Sequence, residues 1–528
     1  MRLKIQHYFL GSVSLVIAIA FSFFNSSQEA RYQPRDNNAI APNGIAGYAE
    51  YINSMRSNEI TGLVTEADIQ KATDEINALP TNKTNSLTWE TKGPDNYGGR
   101  TRALLIDKDN SSHLYAGSVG GGIFKSINGG ATWNHIGDPT HNQSIVSMTQ
   151  TPNGDIYVGT GEVFQGYGGG GASSSPQFKG KGVLKSTDKG NTWTELSTTI
   201  GWNTVPRIEA DPTDPSGNTV YAATNTGFKK TTDGGLTWTG LFGGNIWDFA
   251  ISVTGKLFVN RNGFTMYSSD GSTFTEISAS SITSTSLPRV GNTSNARVRY
   301  SISPQDENYV YCVQTNGNKL RAVYRSIDGG TTWSKIGQRS NNFDPLCYTN
   351  SQFSSNQTCQ GKYDLLFAVS AHDKDLIYLG GITIWKWSLS QGWSQATTNY
   401  GGIGNPIYIH SDSHDMVFDP NNSNIVYAVN DGGIFKSSDG GLTWAERNKN
   451  YNTFTQFGVS VGRDRKILGG GQDNGTIYLD GSLLSPNSGI KTAGGDGGYA
   501  EISWLTPKVH FFESQGGSFY RSNDGYGN

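Results

Sequence analysis

The segment His410-Ser-Asp-Ser-His414 combines residue types and a spacing that could bind a metal ion. Two imidazoles and one carboxylate form a ligand set that suits a divalent transition ion. His410, Asp412 and His414 are therefore a candidate metal site. The alternative is a polar loop whose side chains hydrogen-bond to their surroundings, and the sequence leaves both open.

Acidic residues next to glycines are a second group of candidates, because paired carboxylates can hydrolyse glycosidic bonds. Such an enzyme needs two carboxyl groups about 5 to 10 Å apart across a cleft. The spacing along this chain pairs no two of these residues, and hydrogen bonding within a glycine-rich turn is the alternative role of each. The candidates are Glu162, Asp431, Asp473, Asp496 and Glu513.

An eight-residue motif of the form Ser-x-Asp-x-Gly-x-Thr-Trp recurs after residue 93. An aspartate in such a turn accepts backbone N–H groups, the glycine adopts angles closed to other residues, and the tryptophan packs over the hairpin. The aspartates are therefore interpreted as turn residues and not as catalysts: Asp188, Asp233, Asp270, Asp328 and Asp439. The clear copies are Ser126–Trp133, Ser186–Trp193, Thr231–Trp238, Ser326–Trp333 and Ser437–Trp444, with a shorter copy at Ser268–Phe274.

These copies resemble the Asp-box (BNR) repeat of sialidases, sortilin-type receptors and some endoglucanases. The order of the His-x-Asp-x-His, Asn-Asp-Gly-Gly, Gln-Asp-Asn-Gly and Gly-Gly-Asp-Gly-Gly segments also resembles that of large secreted bacterial Asp-box proteins. The resemblance implies an all-β fold, a β-propeller, and it marks a subfamily without implying a reaction.

A sialidase would need an arginine cluster to bind the carboxylate of its substrate by bidentate hydrogen bonds. Arg100, Arg207 and Arg297 precede or open predicted strands. The sequence shows neither an Arg-Ile-Pro start nor a convincing Tyr–Glu nucleophile pair, so a sialidase is disfavoured.

Each motif lies within a longer unit of four predicted strands with turn residues at every junction. Units of this kind, spaced about 40 to 60 residues apart, are typical of propeller blades. Residues 87–528 are therefore predicted to form about nine blades, in one large propeller or in two smaller ones. The inner strands are expected to begin near Arg102, Ile145, Arg207, Phe249, Val298, Leu365, Met416, Gly458 and Tyr499.

The connections of a four-stranded meander alternate between two faces, so the Asp-boxes share one face with the turns between first and second strands. The remaining loops form the second face, here called the loop face. Binding sites usually lie on loops of a rigid scaffold. The predicted ligand-binding residues on the loop face are Arg100, Glu162, His410, Asp412, His414, Asp431, Gln472, Asp473, Asp496 and Glu513.

The N-terminal region has the pattern of an export signal followed by a leader. Arg2 and Lys4 precede an apolar run at residues 9–24, which predicts a signal peptide over residues 1–30, with an uncleaved anchor as the alternative. Residues 31–86 are predicted to be a leader with short helices, one near residues 45–55 and one capped by Thr65 and ended by Pro80.

The three cysteines and the charge balance restrict location and partners. An exported protein can oxidise the pair that brackets a polar stretch, so a Cys347–Cys359 disulfide and a free Cys312 are predicted. A formal net charge of −3 offers no basic surface for nucleic acid. The mature chain is expected to be secreted or at the cell surface, with no membrane span.

Two features of the chain ends predict how the propeller closes. The last motif stops inside its turn, and Leu87-Thr-Trp-Glu-Thr91 resembles a fourth strand that lies before the first blade. An unpaired edge strand invites aggregation. We therefore expect residues 87–91 to pair with residues 518–522, closing about nine blades; the alternative is that the chain continues beyond Asn528.

These features favour an exported binding module that recognises a carbohydrate or an extracellular protein on its loop face. A glycoside hydrolase of the Asp-box endoglucanase or sialidase type is the first alternative. A structural part of a cell-surface assembly is the second. No cofactor is implied beyond the candidate metal at His410, Asp412 and His414.

Overall fold

The computed structural model describes residues 66–78, 91–138, 141, 143–163, 178–244, 246–279, 285–290, 296–340, 343–348, 359–399, 401–481, 487–515 and 517–524. Contacts divide the chain into two compact units, Met1–Met55 and Arg56–Asn528, and every described residue belongs to the second unit. The predicted signal peptide, the helix near residues 45–55 and the strand at residues 87–90 lie outside the described residues.

Among the described residues, one α-helix precedes the sheets. Helix α1 spans Glu66–Ala78 and begins directly after the predicted cap Thr65. The described ranges also contain short 3-10 helices at Ser197–Thr199 and Gly402–Gly404. Within the described ranges, no helix has both the length and the apolarity needed to cross a bilayer.

The described strands form nine antiparallel sheets in chain order, eight of four strands and one of three, which we call blades 1 to 9. Blade 1 contains β1 (Thr101–Ile106), β2 (Leu114–Ser118), β3 (Gly122–Ser126) and β4 (Asn134–His135). Blade 2 contains β5 (Ile145–Gln150), β6 (Ile156–Thr160), β7 (Val183–Ser186) and β8 (Thr194–Glu195). Blade 3 contains β9 (Arg207–Ala210), β10 (Val220–Thr224), β11 (Gly227–Thr231) and β12 (Thr239–Phe242).

The next three blades repeat the same order, with one parallel pair inserted between blades 4 and 5, β17 (Ser278–Ala279) and β18 (Leu287–Pro288). Blade 4 contains β13 (Phe249–Ile251), β14 (Leu257–Arg261), β15 (Phe264–Ser268) and β16 (Thr275–Glu276). Blade 5 contains β19 (Val298–Ile302), β20 (Val310–Asn316), β21 (Lys319–Ser326) and β22 (Ser334–Gly337). Blade 6 contains β23 (Leu366–Val369), β24 (Leu376–Gly380), β25 (Ile384–Ser388) and β26 (Gly392–Gln395).

The last three blades include the three-stranded sheet. Blade 7 contains β27 (Ser413–Phe418), β28 (Val426–Asn430), β29 (Gly433–Ser437) and β30 (Ala445–Glu446). Blade 8 contains β31 (Gln456–Val461), β32 (Ile467–Gly471), β33 (Gly475–Leu479) and β34 (Ile490–Ala493). Blade 9 contains β35 (Gly497–Ile502), β36 (His510–Ser514) and β37 (Ser518–Ser522).

The second strand of a blade shows why these sequences form blades. The strands β2, β6, β10 and β28 are buried along their whole length. A strand covered by a neighbouring blade on each face needs apolar or small residues at every position, not only at alternate ones. Their sequences, Leu-Tyr-Ala-Gly-Ser in β2 and Val-Tyr-Ala-Val-Asn in β28, meet that requirement.

A hydrogen bond from a tyrosine hydroxyl to an Asp-box carbonyl joins several neighbouring blades and also closes a ring. Buried cores shared between neighbours join blades 3 to 6. The Tyr115 hydroxyl of blade 1 donates to the carbonyl of Lys189 in blade 2 at 3.0 Å, and Tyr157 of blade 2 donates to Gly234 of blade 3 at 3.0 Å. Tyr427 of blade 7 makes the same contact with the Gly129 carbonyl of blade 1 at 3.1 Å. Blades 1 to 7 therefore form a closed ring.

Blades 8 and 9 pack against each other through a core of their own, formed by Leu468, Tyr478, Ala500, Ile502 and Phe512. The all-β propeller fold with about nine blades is thus confirmed, and the contacts divide it into a ring of seven and a pair. Blades 1 and 7 each contain four strands from their own stretch of sequence, so the ring of seven closes without the expected clasp. The pairing of residues 87–91 with residues 518–522 of blade 9 stays a prediction, because residues 87–90 lie outside the described residues.

The Asp-box turns are hydrogen-bonded by their aspartate and serine side chains. In the copy of blade 7, Asp439 Oδ1 accepts the Thr443 N–H at 2.9 Å, and Ser437 Oγ accepts the Gly441 N–H at 2.8 Å. Gly440 has a φ of +73°, a region that other residues rarely adopt. Asp188, Asp233 and Asp328 accept hydrogen bonds in the same way, and Asp270 does so in the shorter copy.

The Asp-box turns predict an acid-sensitive stability. Burial raises the pKa of Asp439, but hydrogen bonds from Thr443 and Ser437 outweigh it and hold the pKa at about 2, below its ordinary 3.8. A depressed folded-state pKa contributes stability above about pH 4 that is lost as the pH falls towards 2. We expect Asp439→Asn to melt below the wild type at pH 7, with the gap closing towards pH 2. A gap in melting temperature that stays constant over this range would contradict the role of the charge.

Cys347 and Cys359 are joined by a disulfide and also pair as an isolated β-bridge. Cys312 is a free, fully buried thiol in β20. The disulfide closes the segment that leads to Tyr363 and Asp364, two residues that lie at the site described next.

Candidate functional site

Loops from several blades bring charged side chains together on the loop face of the ring. Arg100 precedes β1, Glu162 follows β6, Asp431 follows β28, and Asp473 lies between β32 and β33. We call the following group the loop-face cluster: Arg100, Arg102, Glu162, Tyr363, Asp364, Asp412, His414, Asp431 and Asp473. All are buried except Asp473, whose side chain is 23% exposed.

Glu162 joins the two arginines of the cluster. Its Oε2 atom accepts a hydrogen bond from Arg100 Nη1 at 3.2 Å, and its Oε1 atom lies 2.6 Å from Arg102 Nη2 and 2.8 Å from Arg102 Nε. Both guanidinium groups also lie over the ring of Tyr363, at 4.9 Å and 4.7 Å from its centroid. These contacts hold both arginines in fixed positions.

Asp431 is the most heavily paired carboxylate of the cluster. Its Oδ1 atom lies 2.6 Å from His414 Nε2 and 3.5 Å from Arg100 Nε, and its Oδ2 atom accepts the Tyr363 hydroxyl. Burial raises the pKa of Asp431, but Arg100 and His414 outweigh it and hold the pKa well below the ordinary value. Asp431 is therefore ionised at neutral pH.

His414 orients Asp431 as a neutral imidazole. An arginine can only donate, so the 3.1 Å contact from Arg102 Nη1 makes His414 Nδ1 an acceptor. The ring proton then lies on Nε2 and is donated to Asp431. Burial and the charge of Arg102 lower the pKa of His414 to about 3, which keeps the ring neutral at physiological pH.

Three further aspartates face this group. Burial and the neighbouring carboxylates raise the pKa of Asp364, Asp412 and Asp473 well above the ordinary value. Asp412 and Asp473 have φ angles of +64° and +61°, which non-glycine residues adopt at a cost of about 1–3 kcal/mol. Strained residues of this kind cluster at functional sites.

The structure does not support the metal site expected at His410, Asp412 and His414. Both ring nitrogens of His414 bind Arg102 and Asp431, and those of His410 lie 3.0 Å and 2.9 Å from the carbonyls of Ser411 and Asp473. The backbone of Asp412 has a left-handed conformation, which interrupts the extended chain between the two histidines. The side chains of His410, Asp412 and His414 therefore do not converge. Among the described residues, the set on this face whose ligand atoms lie within 4.8 Å of one another is Asp412, Asp431 and Asp473.

The remaining candidates lie at the edge of the cluster or outside it. Asp496 Oδ1 accepts the Asp473 N–H at 2.8 Å, and the Gln472 carbonyl accepts the Asn474 amide at 3.1 Å. Glu513 lies in blade 9, where its carboxylate is 3.4 Å from the Tyr499 N–H. Glu513 is thus a member of the loop face but not of the cluster.

Sequence reasoning missed Arg102, Tyr363 and Asp364. Arg102 was treated as the start of an inner strand, although the charged pair in Arg100-Thr-Arg102 is unusual for a buried position. Tyr363 and Asp364 follow a long polar stretch, and only the preceding disulfide indicates that this segment is held near the ring.

The central channel is closed to a sugar-sized ligand. Its cavity holds about 40 Å³ and is lined by charged residues, among them Arg102, Arg207, Asp248, Arg299 and Asp415. Arg299 Nε binds Asp248 at 3.3 Å and its Nη1 donates to the Leu365 and His414 carbonyls. Ligand pockets usually measure about 300–1,000 Å³, so this cavity is too small for such a ligand.

Similar proteins were found by structure alone, since no family model and no curated protein matches this sequence. A GH74 xyloglucanase from Xanthomonas campestris superposes with a TM-score of 0.58 at 13% identity, covering 84% of this chain and 68% of that enzyme. A GH74 enzyme from Niastella koreensis superposes with a TM-score of 0.55 at 19% identity, and the match covers 82% of this chain and 66% of that enzyme. An ancestral GH74 enzyme superposes with a TM-score of 0.55 at 14% identity, and the match covers 82% of this chain and 60% of that enzyme.

At these identities the likeness shows a shared propeller fold alone. The chain spans 66% and 60% of the length of the second and third enzymes, and 68% of the first. The resemblance to Asp-box propellers therefore holds at the level of structure.

Proposed function

We propose that this chain is an exported binding module that recognises a carbohydrate on its loop face. The observation that carries the proposal is the half-exposed polar edge of the loop-face cluster, formed by His410, Gln472, Asp473 and Asp496. The buried ion pairs beneath this edge hold it rigid, and a few fixed polar groups are what orient a ligand in a binding site.

A glycan suits this edge better than a protein does. The core of a protein interface is usually apolar and rich in aromatic residues. Exposed large apolar side chains of this chain include Ile127, Leu236, Ile327 and Leu442, which all lie in Asp-box turns at the opposite face. Sugar hydroxyls, in contrast, pair with carboxylate and carboxamide groups of the kind found at the loop-face edge.

A glycoside hydrolase is the second candidate, favoured by the contrast between Asp431 and Asp473. An ionised and a protonated carboxyl group side by side are what acid–base hydrolysis of a glycoside uses. Arg100 nevertheless lies against both, with Nε 3.5 Å from Asp431 and Nη2 3.6 Å from Asp473. Because Arg100 pairs with both carboxyl groups, neither is free for acid–base work on a glycosidic bond, so binding is the first proposal.

A glycan array and a polysaccharide-hydrolysis screen on the same purified protein distinguish the two candidates. We expect retention of one class of glycan with no release of reducing ends. Release of reducing ends that is lost in Asp473→Asn would establish the hydrolase instead. Neither retention nor hydrolysis over the whole set would contradict both.

Export is part of the same proposal. A signal peptide over residues 1–30, a leader over 31–86 and a propeller from residue 87 remain the proposed domain organisation. The Cys347–Cys359 disulfide supports passage through an oxidising compartment.

A further inference from the structure

Four aspartates converge at one side of the loop-face cluster. Asp412, Asp431 and Asp473 each offer a carboxylate oxygen within 4.8 Å of the other two. Asp364 lies beside this set, next to Asp412, and the charge of Asp431 raises its pKa. Asp473 lies in blade 8, Asp431 in blade 7, Asp412 before blade 7 and Asp364 before blade 6. The fold, and not a single loop, therefore brings them together.

The described residues leave part of this group without a hydrogen-bond donor. Asp364 has no exposed surface, and its carboxylate oxygens face the carboxyl group of Asp412 and no N–H donor of another described side chain. The Oδ1 atom of Asp412 is also buried without a partner. Buried polar atoms are almost always paired, so each exception requires an explanation.

The arginines supply only part of the balancing charge. Arg102 binds Glu162, and Arg100 binds Glu162, Asp431 and Asp473. Five carboxyl groups thus share two guanidinium groups within the cluster. Asp364 and Asp412 feel the charges of Arg297 and Arg100 from a distance, and the pKa of each stays raised.

From this geometry we infer that Asp364, Asp412, Asp431 and Asp473 bind a divalent cation of the Ca²⁺ type. Ca²⁺ takes carboxylate oxygens at about 2.3–2.6 Å, so two ligands on opposite sides of the ion lie about 4.6–5.2 Å apart. Oxygens within 4.8 Å of one another can therefore share one ion. The ligand atoms are all oxygens, because the nitrogens of His414 are engaged by Arg102 and Asp431, and this favours a hard cation over a transition metal.

A bound cation would explain the left-handed backbone at Asp412 and Asp473. The carboxylate oxygens of these two residues lie within 4.8 Å of each other. A cation there ties blade 7 to blade 8 and balances the carboxylates that the arginines leave unpaired. The inference is independent of the glycan proposal, since the cation site needs no sugar.

Calcium titration of the chelator-treated protein tests this site without any glycan. We expect one calorimetric site with a Kd below about 1 mM, a higher melting temperature with Ca²⁺, and Tb³⁺ luminescence sensitised by Tyr363, whose hydroxyl binds Asp431. Asp364→Asn should weaken Ca²⁺ binding at least about tenfold. Asp415→Asn is the matched control, because Asp415 lies in β27 and binds Arg299 outside the group.

The opposite outcome has a clear physical meaning. If Asp364 and Asp412 share a proton instead, Ca²⁺ will produce neither heat nor luminescence, and the melting temperature will be the same with and without chelator. That result would overturn the cation site. Should Asp364→Asn fail to fold, Asp412→Asn and the calcium dependence of the wild-type melting temperature decide the question.

Discussion

Glu162→Gln is expected to lower the free energy of unfolding by about 3–5 kcal/mol, the usual cost of removing one partner from a buried ion pair. Glu162 is buried and binds both Arg100 and Arg102. The substitution keeps the shape of the side chain but leaves two buried guanidinium groups with one counter-charge fewer. Urea unfolding followed by tryptophan fluorescence measures the loss.

The matched control is Glu501→Gln, the same chemical change at an exposed position of β35. Surface substitutions usually change stability by less than about 0.5 kcal/mol. If Glu162→Gln costs no more than Glu501→Gln, the ion pairs do not hold the loop face rigid.

Trp133→Ala is expected to cost about 3–5 kcal/mol, as for other buried aromatic residues replaced by alanine. Trp133 lies at the junction of blades 1 and 7, where its indole N–H donates to the Arg447 carbonyl at 2.7 Å. The same residue packs in one core with Tyr427 and Ile434 of blade 7. Its loss should therefore open the ring at its closing contact, and thermal unfolding measures the effect.

Trp504→Ala provides the control, because Trp504 is 66% exposed in blade 9. The seven-bladed ring predicts a large difference between the two variants. Equal stability of Trp133→Ala and Trp504→Ala would show that blades 1 and 7 are not in contact.

The blades were predictable from sequence because their signals are local. Every inner strand begins within three residues of its expected position, from β1 at Thr101 to β35 at Gly497. An Asp-box motif predicts its own turn, and a second strand of mostly apolar or small residues predicts burial on both faces. Neither signal depends on the rest of the chain.

The number of blades in the ring could not be read in the same way. The contact between Tyr427 and Gly129 that closes the ring joins residues 298 positions apart. Tyr115 and Tyr157 make the same contact between other blades, so the sequence of one blade does not tell whether its neighbour is the next or the first.

The loop-face cluster was only partly predictable for a related reason. Alternation of the two faces placed Arg100, Glu162, His414, Asp431 and Asp473 on one face, and the structure brings these five together. Which of them pair depends on contacts between blades. Tyr363, which lies under both arginines, carries no motif that marks it in the sequence.

Calorimetric titration with the glycan that the array retains tests glycan binding at the loop face most directly. Three proteins are compared: the wild type, Gln472→Ala at the edge of the loop face, and Asp328→Ala in an Asp-box at the opposite face. We predict binding by the wild type, at least about tenfold weaker binding by Gln472→Ala at an unchanged melting temperature, and unchanged affinity per folded molecule in a less stable Asp328→Ala. Affinity that falls in Asp328→Ala and is unchanged in Gln472→Ala would place the glycan on the other face and contradict the account.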